Sequence, residues 1–397
     1  MPMKSKTILM LNDHIHFGGG GDAVFQLERQ IFEQAGHQVY TYSMSPDAQV
    51  KPSAHDIIFQ EPASYLQRRL GKFVIMPKLV QHLRDVLHRL QPDFIKLHLL
   101  AKYPAEIYAA LKGYKAVQIL HGPNLFCATG WGALKINSNR CEQGIGRKCY
   151  QRGCVNLAQL PLHMNLDRRI KHNIHDVVTK FLAPSHQIAQ TAHDLGYRPV
   201  EYFPLTIDPV FEDIEPRYDD RANILFVGAL VEAKGLAYLI EALPAIVRAL
   251  PKLSLNIAGR GALTSSLKQK VTQLELQARV NFLGFQSRAE LLQLYQQASV
   301  VVMPSIWCEQ FGLVGLEALA AGVPVVATDI GGIPEWCLHE KHGLLVPARD
   351  SGQIASAVIR LLRDIILRRQ YGAAGREFVL AEFAYQQYQQ NILAQLD

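Results

Sequence analysis

Two carboxylates, Glu309 and Glu317, stand eight residues apart in the stretch from Val300 to Thr328. Glu309 falls on a loop, just before a helix expected to begin near Phe311 to Leu313. The first N–H groups of a helix have no partner within it, so such a start attracts anions. The stretch therefore suits an anionic ligand, whose identity these residues leave open. Glu317 lies within the apolar helical sequence Leu313, Val314, Leu316 and Leu319, where a carboxylate is costly without partners.

Other groups could join this chemistry. Lys234 closes the loop VGALVEAKG (227–235), and Arg260 sits in LNIAGRG (255–261); either cation could neutralise an anionic ligand, although loop cations are commonly just solvated. Near the N-terminus, four consecutive glycines, Gly18 to Gly21, separate an apolar run (Thr7 to Leu11) from a helical pattern (Asp22 to Ala35). Glycines in that position let the backbone approach a ligand and aim N–H groups at it. The spacing is not GxGxxG, and no acid promptly follows the next strand, so a dinucleotide site is not expected. His98 and His121 each follow a strand-like run, Phe94 to His98 and Val117 to Leu120, at the strand end where α/β sheets bind ligands.

The elements needed to carry these groups alternate along the chain. Beyond residue 222, strands are expected at Asn223–Val227, Ser254–Ala258, Val280–Phe282, Val300–Met303, from Val325 and at Gly343–Val346. Helices are expected between them at Leu236–Leu250, Leu263–Leu276, Arg288–Ala298 and Ile354–Arg369. The first half adds a helix over Leu162 to Lys180 and a strand over Lys180 to Pro184. Repeated β/α alternation predicts parallel sheets covered by helices on both faces. The stretch Tyr202 to Arg221, with three prolines and several acids, reads as a linker. Two doubly wound domains are therefore expected, residues 1–203 and 204–375, with a C-terminal helical segment, 376–397, crossing back to the first. A cleft between two such domains is the natural ligand site.

At 397 residues with 49% hydrophobic content the chain has enough apolar material for two cores. It holds no run of 18 apolar residues, and MPMKSKTILML leads into a strand without a signal-peptide pattern, so a cytoplasmic protein is expected. Charge is uneven: residues 1–200 carry 24 Lys and Arg against 14 Asp and Glu, whereas 201–397 carry 17 against 21. The basic half suits an anionic partner or an anionic membrane surface. The stretch Tyr65 to Leu90 interleaves six cations with apolar residues; it reads either as an interfacial helix or as a packed helix with a solvated basic face. Cys127, Cys141, Cys149 and Cys154 fall in a Gly-rich, basic insertion (127–154) but lack the CxxC pairs of well-marked metal sites. They are weak metal candidates, and no metal is expected.

Taken together, these motifs resemble the retaining GT-B glycosyltransferases of family 4. The resemblance rests on VGALVEAKG, LNIAGRG, VNFLGF (280–285), the PS…E-x7-E-ALAAGVPVVAT stretch and GGIPE (331–335), with Gly19, Gly20, GHQV (36–39) and His121-Gly122 in the first half. It implies two Rossmann-like domains facing across a cleft, and hexosyl transfer from a UDP- or GDP-sugar to a glycan or lipid-linked acceptor, the alternatives being a non-catalytic nucleotide-sugar or membrane-surface binding protein and a GT-B-like epimerase. It also implies roles. Glu317 would hold the nucleotide ribose and Glu309 the donor sugar. The N–H groups of Phe311, Gly312 and Leu313 would meet sugar and diphosphate. Lys234 would neutralise the leaving diphosphate, Gly19 and Gly20 would approach it, and His121 would face the reacting sugar. Where many relatives have an arginine, this chain has Ala229, for which Arg260 could compensate. No cofactor beyond the nucleotide sugar and no nucleic-acid partner is implied. The setting implied is cell-surface polysaccharide or glycolipid synthesis, peripheral to the inner membrane face.

Overall fold

The computed structural model describes residues 4–15, 19–44, 52–60, 70–130, 141, 144–218 and 221–396. The chain divides into two compact units, Met1–Pro204 with Gln389–Asp397, and Leu205–Tyr388. Each is built on one parallel sheet.

In the first unit the strands are β1 (Thr7–Leu11), β2 (Gln38–Ser43), β3 (Asp56–Ile58), β4 (Phe94–Leu97), β5 (Ala116–Ile119), β6 (Val178–Ala183) and β7 (Val200–Tyr202), in the order β3-β2-β1-β4-β5-β6-β7. In the second they are β8 (Asn223–Val227), β9 (Ser254–Ala258), β10 (Val280–Gly284), β11 (Val300–Met303), β12 (Val325–Thr328) and β13 (Gly343–Val346), ordered β10-β9-β8-β11-β12-β13. Every residue of the inner strands β4, β5, β11 and β12 is buried, as expected for strands with helices on both faces. The edge strands β3 and β7 have no fully buried residue. Strand order reverses direction between β1 and β4 in one sheet and between β8 and β11 in the other. The loops leaving those strands therefore diverge and leave a crevice, where α/β sheets place ligands.

Several boundaries differ from those expected. The helix placed over Leu162 to Lys180 runs from Leu160 to Ile174, and β6 begins at Val178, because Val178 and Phe181 are needed in the sheet core. The helix placed over Ile354 to Arg369 is two, Ser351–Arg363 and Ile365–Glu382; Asp364 divides them, its extended backbone and carboxylate capping Leu367 N–H. Residue 376 thus lies inside a helix rather than at a boundary. The final helical segment is interrupted at Phe383 before the helix Tyr385–Leu393, and only Gln389–Asp397 groups with the first unit. Within the basic stretch 65–90, residues 65–69 lie outside the described residues. Pro77–Leu90 is helical and buries Leu79, Leu83, Val86 and Leu87, so that helix packs one face on the core. Among the described residues no helix is long and apolar enough to cross a membrane.

Candidate active site

In the second unit the two loops at the sheet's reversal point are pressed together. Gly235 (φ +66°) ends the turn Glu232–Lys234, and a Cβ there would lie 1.8 Å from the Pro304 carbonyl oxygen, so only glycine fits. Ile306 N–H donates to Ala233 O at 2.9 Å and ties the loops in register. This puts Lys234, from the β8 loop, against Glu309, from the β11 loop: Lys234 Nζ lies 2.5 Å from Glu309 Oε1. The Ser305 hydroxyl donates to the same oxygen at 2.7 Å, and the ammonium stands 5.1 Å above the Trp307 ring. Glu309 is only 3% exposed, so the lysine and serine satisfy a carboxylate that water scarcely reaches. Its backbone is held from below: Gly332 N–H donates to Glu309 O at 2.8 Å, and Gly331 (φ +64°) approaches so closely that a Cβ would meet that oxygen at 2.2 Å.

Three residues later Gly312 (φ +96°) turns the chain into the helix Leu313–Ala320. The entry is braced by Trp336, whose Nε1–H donates to Phe311 O at 2.5 Å and whose ring leaves no room for a Cβ at Gly315. Gly315 N–H donates back to Gly312 O at 2.9 Å, and the Leu313 and Val314 N–H groups ahead of it have no acceptor within the helix and carry its partial positive charge. On this helix Glu317 is buried, with its Oε2 accepting from Tyr295 Oη–H at 2.8 Å and its Oε1 3.6 Å from Arg288 Nη1. Burial pushes its carboxyl up to about 7, with Arg288 and Tyr295 pulling the other way. Arg288 is shared, donating through Nε to Asp208 at 3.0 Å and stacking over Phe211 at 5.4 Å.

In the first unit the loop after β1 is organised around Asn12 and Asp13. Asn12 donates to Asp22 Oδ1 at 2.8 Å and accepts from Leu99 N–H at 3.0 Å; Asp13 accepts from the N–H groups of Ala101 and Lys102. Burial pushes Asp13 up to about 6 against those bonds and the nearby Lys102 charge. Gly19 caps the helix Gly20–Gln34, which starts two residues earlier than Asp22, so Gly20 and Gly21 form its first turn. Gly18 lies outside the described residues. A Cβ at Gly21 would meet Leu99 Cδ1 at 2.9 Å and His121 Cγ at 3.3 Å, so this glycine admits His121 to the helix start. His121 Nε2 is 2.8 Å from His98 Nδ1, and burial holds both imidazoles below their ordinary pKa. Beneath them Glu28 Oε2 lies 3.2 Å from His98 Nε2 and 3.4 Å from Lys96 Nζ, all three side chains being fully inaccessible. His98 and His121 line a pocket with Tyr103, Tyr108, Gln118 and Lys72.

The structure thus brings Lys234 together with Glu309 and places Phe311, Gly312, Leu313 and Glu317 on the adjoining helix start. It sets Gly19 and Gly20 at a second helix start, in the unit that holds His121. Arg260 is exposed and lies over the Phe285 ring at 5.1 Å. Of the cysteines, Cys149 packs with Val155 and Leu160, and burial raises the Cys149 and Cys154 thiols. Cys127 meets Thr129, and Cys141 accepts from Arg152. Among the described residues no three His, Cys, Asp or Glu side chains gather as a metal site. Tyr295, Arg288, Glu28 and Lys96 were not expected. Two of them carried a signal: Glu28 shares the helical face of Val24 and Ile31, and Lys96 interrupts the buried strand FIKL.

Comparison with known proteins adds two family matches, "Glycosyltransferase Family 4" over residues 17–211 and "Glycosyl transferases group 1" over residues 209–378. The GDP-mannose-dependent alpha-(1-6)-phosphatidylinositol monomannoside mannosyltransferase of Mycobacterium tuberculosis is 33% identical over 248 residues, covering 58% of this chain and 64% of that protein. The matched stretch spans less than two thirds of the curated relatives' own length. Among solved structures, sucrose-phosphate synthase from Thermosynechococcus elongatus superposes with a TM-score of 0.74 at 22% identity, covering 98% of each chain. Anabaena HepE, solved in complex with UDP and glucose, superposes at 0.71 with 18% identity, covering 98% of this chain and 99% of its own. These structures share the two-sheet GT-B architecture.

Proposed function

The chain belongs to the family 4 glycosyltransferases, and on that premise we propose that it transfers a hexosyl group, with retention, from a UDP- or GDP-sugar to a glycan or lipid-linked acceptor. The observation that carries the reading is the Lys234–Glu309 pair at 2.5 Å beside the helix start at Gly312. As a glycosidic bond to a diphosphate breaks, negative charge collects on the leaving group. Lys234 and the first-turn N–H groups of Leu313–Ala320 stabilise that charge more than the ground state, which is the condition for catalysis. Glu309, held by Ser305 and Lys234, accepts from donor-sugar hydroxyls. Glu317 accepts from the ribose, with Tyr295 and Arg288 orienting it. Gly19 and Gly20 receive the diphosphate through backbone N–H groups, and His121 meets the sugar. Arg260, free of ion pairing to a described acid, adds a further cation for the phosphates. No metal is assigned a part, because fixed cations and helix amides supply the charge.

A UDP or GDP donor is supported by the names of relatives and neighbours, one GDP-mannose-dependent and one holding UDP and glucose. A phosphate-bearing or lipid-linked acceptor suits the basic first half of the chain, as does peripheral contact with an anionic inner membrane face. Cell-surface polysaccharide or glycolipid assembly is the setting we favour. The test is incubation with a panel of UDP- and GDP-sugars, with and without lipid and glycan acceptors, following nucleotide release and the anomeric configuration of the product. Acceptor-dependent release with retained configuration is expected. No release with any donor, or inversion, overturns the reading.

A further inference from the structure

We propose that Glu28 and His98 are positioning residues that set the tautomer of His121, forming a buried Glu28–His98–His121 relay that leaves His121 Nδ1 as a hydrogen-bond acceptor for a hydroxyl of the sugar substrate. The inference rests on the glycosyltransferase reading for the substrate's identity, but not for the relay. Glu28 Oε2 faces His98 Nε2 at 3.2 Å and Lys96 Nζ at 3.4 Å, with no accessible surface on any of the three side chains. Of the two His98 ring nitrogens, Nε2 is the one that faces the Glu28 carboxyl oxygen, and the field of a carboxylate there favours the proton on Nε2, even though the 3.2 Å contact is too bent to be a hydrogen bond. Neutral His98 then has a bare Nδ1. The 2.8 Å contact to His121 Nε2 therefore requires the proton on His121 Nε2, and the second ring nitrogen of His121 is left bare.

The surroundings hold this arrangement. The two imidazole planes lie 21° apart, Phe25 meets His98 edge-on at 5.1 Å between centroids, and Gly21 stands against the His121 ring. The charged groups acting on the two rings are Glu28, Lys96 and Asp22. Burial keeps both imidazoles neutral at neutral pH, so a tautomer rather than a charge is what Glu28 controls. A His121 with the opposite tautomer would present an N–H to the substrate. It would then donate where an acceptor is needed, and a sugar hydroxyl that must itself donate would lose its partner.

The experiment uses the full chain labelled with ¹⁵N-histidine. Long-range ¹H–¹⁵N correlation spectra at pH 7.5 report which ring nitrogen is protonated, with the His121 signals identified by their loss in His121→Asn. The expected result is an Nε2–H tautomer for both His98 and His121. In the double variant Glu28→Met/Lys96→Met, which removes both buried charges together and so avoids stranding one, His121 should populate both tautomers. Transfer kcat should fall about 10- to 100-fold, with nucleotide affinity changed less than two-fold. An Nδ1–H tautomer at His121 in the native chain overturns the relay, as does an unchanged tautomer or an unchanged kcat in the folded double variant. Failure of every sugar donor to support transfer would count against the functional reading alone, since the tautomer is read without turnover.

Discussion

Lys234 Nζ and Glu309 Oε1, brought from the ends of two adjacent strands, lie 2.5 Å apart, yet their exposure differs: 26% of the lysine side chain is accessible and 4% of the glutamate side chain. A pair this unequal does not respond symmetrically to the loss of one member. Removing the lysine leaves a buried carboxylate supported mainly by Ser305, whereas removing the glutamate leaves a cation that can turn to water.

Lys234→Ala should therefore lower thermal stability more than Glu309→Gln does. It should also cut transfer kcat by about 10²- to 10³-fold, the usual loss when one group that stabilises transition-state charge is removed. Calorimetry and steady-state kinetics on both variants check this. Equal or reversed stability losses, or wild-type turnover by Lys234→Ala, would contradict it.

Glu317 gives a pH prediction. Its folded-state pKa of about 7 stands above the ordinary 4.5, so the folded protein favours the protonated form. Its contribution to stability is complete below pH 4.5 and is lost as pH rises through about 7, amounting at most to about 3 kcal/mol. Glu317→Gln removes that dependence. The melting temperature of the variant relative to wild type should rise between pH 5 and pH 8, and a constant difference across that range would refute the assignment.

Gly315→Ala places a methyl group where the Trp336 ring already lies, 1.9 Å from the nearest ring carbon. The indole is fully buried and anchored to Phe311 O, so it cannot swing aside without losing that bond. A loss of about 1–3 kcal/mol is expected in urea unfolding, the usual cost of overpacking a core. A change within about 0.5 kcal/mol, the range of ordinary surface substitutions, would show that the ring is not held there.

Gly331→Ala forces a side chain into a left-handed backbone and against the Glu309 carbonyl. The displacement should reach the Glu309 carboxylate, weakening donor-sugar affinity at least ten-fold while nucleotide diphosphate binds nearly as before. Isothermal titration with the nucleotide and with the intact donor separates the two, and parallel losses would argue for general loosening instead.

Much of this architecture was legible from residue order. The second half alternates apolar runs with helical patterns so regularly that all six of its strands begin where expected, because strands buried on both faces must be apolar throughout. Errors gathered where helices meet other elements, as at Asp364 and Val178. There the local pattern continues, and capping or sheet membership decides where the helix stops.

The candidate site divides in the same way. Glu309, Glu317 and the glycine tract stood out by type and place, since a carboxylate on an apolar helix or a glycine tract between strand and helix has few uses, whereas Lys234 was singled out by the family resemblance, a loop lysine being commonplace by itself. Their partners did not. Tyr295 and Arg288 are 22 and 29 residues before Glu317 on a different helix, and Glu28 is 70 residues before His98. Sequence by itself determined which residues are chemically unusual for their local element, because hydrophobic periodicity is a short-range property. Only the tertiary structure decided which of them meet, because parallel strands bring distant loop ends together through crossovers whose side chains carry no local mark of the partner they will find.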